Sequence, residues 1–402
     1  MKILVLNCGS SSIKYQLFNM ENKTVIAKGL AQRVGLTGST IDFRKGDDGK
    51  KTVYDIDLVD HKVGIQKIFE LLTDSKTGVI SSLKEVDAVG HRIVHGGDKF
   101  AQSVLINDDV KKAIQDCIVF APLHNPPNLK GVEAVEAIIP DVKQVAVFDT
   151  SFHQTMGPEA YIYGIPYRFY AKNKIRRYGF HGTSHRYVAK RAAELLGKPL
   201  EECKLITIHL GNGCSACAID GGKSVDTSMG HTPLEGLIMG TRCGDIDPAL
   251  VLHIMKEEKL SISEMDTLLN KHSGVLGISE ESSDLRDLED GWPNKSKMAN
   301  LALDVYSHRI KKYIGAYMAV LNGCDAIVWT AGVGENSPIV RSIVHKNMDW
   351  FGIKLDLAKN EVTWRGAEGE ITTPDSKVKV LVIPTNEELV IAQDTLEIIT
   401  KA

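Results

Sequence analysis

Short apolar runs and longer segments of helical period alternate along this chain. The first run, over residues 3–6, is followed by small polar residues at 7–12 and a second run over 13–18. Two such runs joined by turn chemistry predict a hairpin. The pattern returns near the middle, with a strand over 205–210, the tight turn Gly211-Asn212-Gly213, a strand over 214–219 and another turn at Asp220-Gly221-Gly222. Strand, small-residue turn carrying Asn, strand in each half reads as a distant internal duplication of one α/β unit. Two unrelated hairpins would give the same pattern, so the repeat is an expectation for the structure to decide.

Helices fall between these strands. Ser184 is placed to cap a helix running to Leu196, with Gly197 and Pro199 as stop signals. Asp247-Pro248 and Ser337-Pro338 open two more, because proline suits the first helical position. Residues 297–321 form a long periodic stretch ended by Gly323, followed by a buried strand over 325–329 and a glycine-rich loop over 330–336. A strand over 378–383 leads to a final helix capped by Thr385 or Asn386. Strands alternating with helices predict an α/β fold. A length of 402 residues favours two domains. The charged stretches 45–51 and 287–297 read as flexible surface loops.

Composition narrows the function classes. Hydrophobic content of 43% and charged content of 25% are ordinary for a globular protein. A formal net charge of -3 argues against nucleic acid or an anionic membrane as partner, since both ask for a basic excess. One local cluster, Lys172, Lys174, Arg176 and Arg177, reads equally as a solvated turn or an anion-facing surface. The 7 cysteines are scattered and odd in number, which fits reduced thiols in the cytoplasm. The apolar run after Met1 is too short for a signal peptide. No stretch approaches the ~20 apolar residues of a membrane span.

Phosphate recognition needs backbone N–H groups that can be approached closely, hence glycine and small hydroxyl residues. Three strand ends offer this: residues 7–12 followed by Lys14; His209, Leu210, Gly211, Asn212 and Gly213; and Gly332, Val333, Gly334, Glu335 and Asn336. Two familiar signatures fail. Gly222-Lys223-Ser224 resembles the end of a P-loop, but Cys217 stands where the upstream glycine belongs. Gly332-Val333-Gly334 begins like a dinucleotide fingerprint, but Ser337 replaces the third glycine. Both absences point to a nucleotide site built from hairpin loops across two domains. Cys214 and Cys217 form a CxxC on one strand, where residues three apart face opposite sides, so their thiols should not converge. His91 with His95, and His181 with His185 flanking a Gly-Thr-Ser turn, lack the helical context of a zinc site.

Arginine among glycines carries more information. Arg92 precedes Gly96-Gly97, and Arg242 lies between Gly240 and Gly244. A guanidinium clamp suits carboxylate and phosphate, although a surface ion pair is the ordinary role of an arginine. Asp149 at a strand end and Glu387 at the start of the last helix are candidate oxygen ligands for magnesium.

Taken in order, the segments 7–14, 90–97, 121–126, 147–154, 177–185, 209–213, 240–248, 332–336 and 384–389 resemble the acetate kinase family, nearly end to end. The resemblance implies two duplicated actin/hexokinase-like (ribonuclease H-like) α/β domains, residues 1–149 plus 387–402 and residues 150–386, with an interdomain active-site cleft. It implies reversible transfer of phosphate between ATP and acetate, with acetyl phosphate and ADP as products. By the resemblance Asn7 and Glu387 place magnesium (or manganese), with Glu388 as rival to Glu387, and Lys14 lies near the nucleotide phosphates. Arg92 and Arg242 hold carboxylate and phosphoryl group, and His181, with His124 nearby, donates to phosphoryl oxygens. Asp149 is the acidic active-site residue. Val94, Leu123, Phe180 and Pro233 form the methyl pocket. His209 to Gly213, Asp284 with Leu285 and Arg286, and Gly332 to Asn336 hold ATP. The family is generally homodimeric.

A carboxylate is already ionised at neutral pH, so the reaction needs alignment and charge neutralisation rather than a base. Direct in-line transfer follows, with Asp149 orienting an arginine or a metal-bound water. Three alternatives stay open: propionate or another short acid as substrate, a sugar or polyol kinase of the same fold, and an actin- or chaperone-like ATPase.

Overall fold

The computed structural model describes residues 1–401. The chain forms two compact units: Met1–Phe152 together with the chain from Asn386 onward, and His153–Thr385.

In the first unit eight strands form one sheet: β1 (Lys2–Cys8), β2 (Ser12–Asn19), β3 (Thr24–Gln32), β4 (Thr40–Lys45), β5 (Thr52–Asp55), β6 (Ala88–Ile93), β7 (Val104–Leu105) and β8 (Lys143–Phe148). Their spatial order is β5-β4-β3-β2-β1-β6-β8-β7. The predicted first hairpin is β1 and β2, antiparallel with Asn7 opposite Lys14. β1, β6 and β8 run parallel, as crossover helices require. Alternation assigns each strand residue to a face. Leu4, Leu6 and Cys8, with Ile13, Tyr15 and Leu17, pack against the helices His61–Thr73 and Asn125–Ile138. Ile3 and Val5, with Ala88, Val145 and Val147, pack instead against Ile391, Ala392 and Ile399 of the helix Glu387–Lys401. Gly90 lets that helix settle on bare strand backbone, since a Cβ there would stand 2.4 Å from Thr395 Oγ1 and 2.8 Å from Ile391 Cγ2.

In the second unit β9 (Lys204–Leu210), β10 (Cys214–Asp220), β11 (Lys223–Thr227), β12 (Ala326–Thr330), β13 (Gly369–Glu370) and β14 (Lys379–Val382) form a sheet of order β11-β10-β9-β12-β14-β13. Both sheets contain the same run of five strands: three antiparallel (β3-β2-β1, β11-β10-β9), then two more parallel to the third (β6-β8, β12-β14). The suspected duplication is therefore real at the level of topology.

Several expectations need correction. Residues 331–336 are not a loop but a short helix, Ala331–Asn336, entered through Ala331 at φ 64°. Glu335 Oε1 makes this possible by accepting from Ala331 N at 2.7 Å and Thr385 N at 3.1 Å. Ser184 is not a cap. The helix is Gly182–Leu196, its cap position is His181 at φ 57°, and Ser184 turns inward. The segment between His181 and His185 is thus the first helical turn, not a separate one. The basic cluster divides. Lys172 and Lys174 are exposed, but Arg176 lies 3.7 Å above the Tyr161 ring centroid. Arg177 donates to Glu235 at 2.5 Å and to the carbonyls of Thr227, Ser228 and Met229. These two arginines are interior braces, because burial obliges each guanidinium to find ring faces or oxygens. Cys214 and Cys217 are unbridged and separate, as expected. No described helix is long and apolar enough to cross a membrane.

Candidate active site

Strand alternation builds the first cluster. Asn7 has the parity of Ile3 and Val5, and Arg92 that of Ala88 and Gly90, so both belong to the face covered by the helix Glu387–Lys401. Lys14, directly opposite Asn7, shares that face, and its Nζ reaches Glu388 Oε1 at 2.5 Å. Asp149 follows β8, held by its N–H to Ile93 O at 2.9 Å. Helix Glu387–Lys401 begins here, with Asn386 Oδ1 accepting from Leu389 N at 3.1 Å. The structure thus brings Asn7, Lys14, Arg92, Asp149 and Glu387 to one end of the first sheet, with Glu388 among them.

Charge is balanced unevenly in this cluster. Asp149 is 1% exposed and grips Arg92 with both oxygens, Nε to Oδ1 at 3.1 Å and Nη2 to Oδ2 at 2.5 Å. Burial works against the Arg92 charge, yet Asp149 and then Glu387 hold its pKa above the ordinary arginine value. Burial pushes Glu387 up to about 7, against the pull of Arg92 and with Asp149 and Glu388 adding repulsion. Glu387 Oε1 is buried without a hydrogen-bond partner. An orphaned carboxylate oxygen among further acids is a donor set that suits a hard divalent cation. Magnesium therefore fits the residues present.

Two asparagines that the sequence reading passed over secure the adjoining loops. Asn128 accepts from Val94 N at 3.0 Å and donates to Cys8 O at 2.7 Å. Asn125 accepts from His95 N at 3.1 Å and donates to His95 O at 2.9 Å. Val94 is consequently fixed and 5% exposed. His124 sits at the start of the same helix, and Leu123 beside it is 64% exposed.

The second unit holds a histidine cluster. Thr207 and His209 of β9 and Ser215 of β10 share the face opposite Cys214, which meets Tyr306 of the helix Lys297–Val320. Helix Gly182–Leu196 covers that histidine face. Its residue His185 bonds Thr207 Oγ1 through Nδ1 and Ser215 Oγ through Nε2, both at 2.7 Å. His181 Nδ1 meets the same Ser215 Oγ at 2.9 Å, and His209 Nδ1 meets Ser184 Oγ at 2.8 Å. The His181 and His209 rings stack at 4.0 Å. Burial holds the His185 pKa well below the ordinary value, and His153 and His209 depress it further. A Cβ on Gly213 would lie 3.2 Å from His181 Nε2, so the His181 ring edge borders the Gly211-Asn212-Gly213 turn. Phe180, 2% exposed, fixes its carbonyl to His153 Nε2 at 3.0 Å.

Arg242 differs from Arg92. Its Nη1 donates to Pro233 O at 3.1 Å, it has no carboxylate partner among the described residues, and burial lowers its pKa. A half-buried guanidinium without a counter-charge can accept an anion. Asp284 and Arg286 pair with each other at 2.5 Å across the start of the helix Leu285–Glu289, with Asp284 as its cap. The segment from Gly332 through Val333 and Gly334 to Asn336 is secured by Arg341. All five of its N–H groups meet oxygens, among them Gly334 O at 2.8 Å and Glu335 O at 3.1 Å. Arg341 sits inside a predicted helix with no glycine beside it, so nothing in the sequence marked it.

The pattern of the Acetokinase family matches residues 2–393. An acetate kinase of Dictyoglomus turgidum is 58% identical over 399 residues, 99% of this chain and 98% of that one. One of Thermotoga maritima is 58% identical over 402 residues, 100% of this chain and 99% of that one. Among solved structures, Porphyromonas gingivalis acetate kinase superposes with a TM-score of 0.94 at 49% identity, covering 99% of each chain. A propionate kinase of Francisella tularensis gives 0.91 at 41%, covering 98% of this chain and 99% of that one. Shared sequence over almost the whole length and a shared fold lead to one conclusion: the chain belongs to the acetokinase family.

Proposed function

We propose that this protein transfers the γ-phosphoryl group of ATP to acetate, reversibly, giving acetyl phosphate and ADP. The observation that carries the reading is the pairing of the half-buried Arg92 with Asp149 beside Glu387 Oε1, a cation and a buried carboxyl oxygen without a partner in one cluster. Such a cluster asks for an anionic substrate and a metal together.

Asp149 is committed to Arg92 by both oxygens, so its role is to orient the guanidinium rather than to take a proton. Arg92 binds the acetate carboxylate, which needs no deprotonation. Arg242, without a counter-charge of its own, balances charge on the phosphoryl oxygens during transfer. His181 donates to those oxygens, with His124 beside it in role. Glu387, with Asn7, holds magnesium; Glu388 is already engaged by Lys14, which favours Glu387 as the ligand. When bound, the metal supplies charge neutralisation on the nucleotide phosphates. Lys14 adds positive charge near the phosphates. His209 to Gly213, Asp284 to Arg286 and Gly332 to Asn336 are assigned to ATP, and Val94, Leu123, Phe180 and Pro233 to the methyl group. Transfer is direct and in line, because no nucleophilic side chain is needed where substrate oxygen is already anionic.

Propionate is the second reading, favoured by the likeness to the Francisella propionate kinase. One methylene is worth only ~1–3 kcal/mol in an apolar pocket. The proposal includes a homodimer in the cytoplasm, where seven unbridged cysteines would stay reduced. The test is to supply ATP and magnesium with acetate or propionate and trap acyl phosphate as its hydroxamate. More product with acetate supports the reading, the reverse order renames the substrate, and ATP turnover without product overturns it.

A further inference from the structure

Buried hydrogen bonds in the second unit form a chain with a definite direction. Thr207 Oγ1, His185, Ser215 Oγ and His181 Nδ1 form one unbroken chain, with successive distances of 2.7, 2.7 and 2.9 Å. Every member is buried or nearly so; Thr207, His185 and Ser215 are 0% exposed. A hydroxyl has one proton to give, and a neutral imidazole has one N–H and one lone pair. His185 is neutral, since burial and the neighbouring His153 and His209 oppose its charge. Three proton arrangements satisfy the chain: two run in opposite directions, and in the third Ser215 accepts from both histidines through its two lone pairs, which leaves its own proton without an acceptor among the described residues.

In one arrangement His181 donates through Nδ1 to Ser215, Ser215 to His185 Nε2, and His185 Nδ1 to Thr207. The Thr207 proton is then left over, and His185 is the only hydrogen-bond partner of that hydroxyl among the described residues. A buried O–H without an acceptor is destabilising. In the arrangement of opposite direction Thr207 donates to His185 Nδ1, His185 Nε2 donates to Ser215, and Ser215 donates to His181 Nδ1. The Thr207, His185 and Ser215 protons then all have acceptors.

We infer that Thr207, His185 and Ser215 are positioning residues that hold His181 as the neutral tautomer with its proton on Nε2. The consequence rests on the reading of His181 as a donor to the phosphoryl group. Nε2 is the nitrogen at the edge bordering the Gly211-Asn212-Gly213 turn, where a Cβ on Gly213 would stand 3.2 Å from it. His181 can therefore donate from that edge without first becoming imidazolium. Protonating Nδ1 as well would turn Ser215 into an acceptor from both histidines and leave its own proton without an acceptor among the described residues.

The test is nitrogen NMR of the full-length protein labelled with ¹⁵N-histidine, with the His181 resonances assigned by their loss in His181→Gln. At pH 7.5 the wild-type His181 should show a protonated Nε2 and an unprotonated Nδ1. A protonated Nδ1, alone or with Nε2, overturns the inference. In Ser215→Ala the lock is lost, so the His181 signals should move toward a mixture of tautomers. Turnover should then fall about 10-fold with the KM for ATP changed less than 2-fold. Ser215→Ala with the wild-type tautomer, or with unchanged turnover in an enzyme that makes acyl phosphate, also overturns it. The tautomer is read without substrate, so its outcome stands whether or not acetate proves to be the acceptor.

Discussion

Arg92 and Asp149 meet side by side, Nε on Oδ1 at 3.1 Å and Nη2 on Oδ2 at 2.5 Å, across the ends of two parallel strands. β6 and β8 pair in register through Ile93 and Phe148, so the residues flanking that pair are set at hydrogen-bonding distance by the sheet itself. The guanidinium is therefore aimed before any substrate arrives, which is the preorganisation that electrostatic catalysis requires.

Asp149→Asn keeps the shape and removes the charge. The half-buried Arg92 then loses its principal counter-charge, a loss of about 3 kcal/mol in stability at most for a pair of which only Asp149 is fully buried. Turnover should fall by roughly 100-fold or more through misorientation of Arg92. Urea unfolding and hydroxamate formation check the two effects separately. Unchanged turnover would mean that Asp149 is structural only.

Glu387→Gln is expected to separate metal binding from folding. The substitution removes a charge whose Oε1 has no partner, so the melting temperature should hold or rise. The magnesium concentration for half-maximal activity should increase at least about tenfold. Titration of activity with magnesium at saturating ATP gives the answer. Glu388→Gln, which only frees Lys14, should shift that concentration much less. The opposite ranking would transfer the ligand role to Glu388.

Arg242→Ala should lower turnover by about 100-fold or more, because the charge proposed to act on the phosphoryl group in transit is lost. ATP affinity should change little. Its folding cost should be small compared with that of Arg341→Ala, since Arg242 has one backbone contact through Nη1 whereas Arg341 donates from all five N–H groups. Calorimetry of the two variants compares them. A larger loss of stability in Arg242→Ala would contradict the assignment of Arg341 as the brace.

Acidification should destabilise the fold through buried histidines before most carboxylates titrate. Burial pushes His91 down to about 4 and His345 to about 3. In the unfolded chain each takes its proton near the ordinary value of about 6.5. Below that pH the unfolded state binds more protons, so stability is lost as pH falls from about 6.5 toward the folded pKa. By pH 5 the loss is about 2 kcal/mol for His91, from ~1.5 pH units at 1.36 kcal/mol each. His91→Gln should flatten that part of the curve, and an unaltered slope in urea unfolding between pH 6.5 and 5 would count against it.

Periodicity and turn chemistry determined the elements of this chain. The hairpins, the helix starts at Asp247-Pro248 and Ser337-Pro338, and the long helix from Lys297 were all legible, because each depends on residues close in sequence. The family, too, was legible, since its motifs recur in order along nearly the whole chain. What the sequence could not set was the parity that gathers residues far apart. Asn7, Arg92, Asp149 and Glu387 share one sheet end only because parallel crossovers bring β1, β6 and β8 together under the last helix. The same holds for misread residues. Ser184 looked like a helix cap, yet His181 takes the left-handed position and frees Ser184 to bond His209. Arg176 and Arg177 looked like surface charge until the fold buried them against Tyr161 and Glu235. Local propensity acts over a few residues, whereas burial, which decides what a charged or hydroxyl group must bond to, is a property of the folded whole.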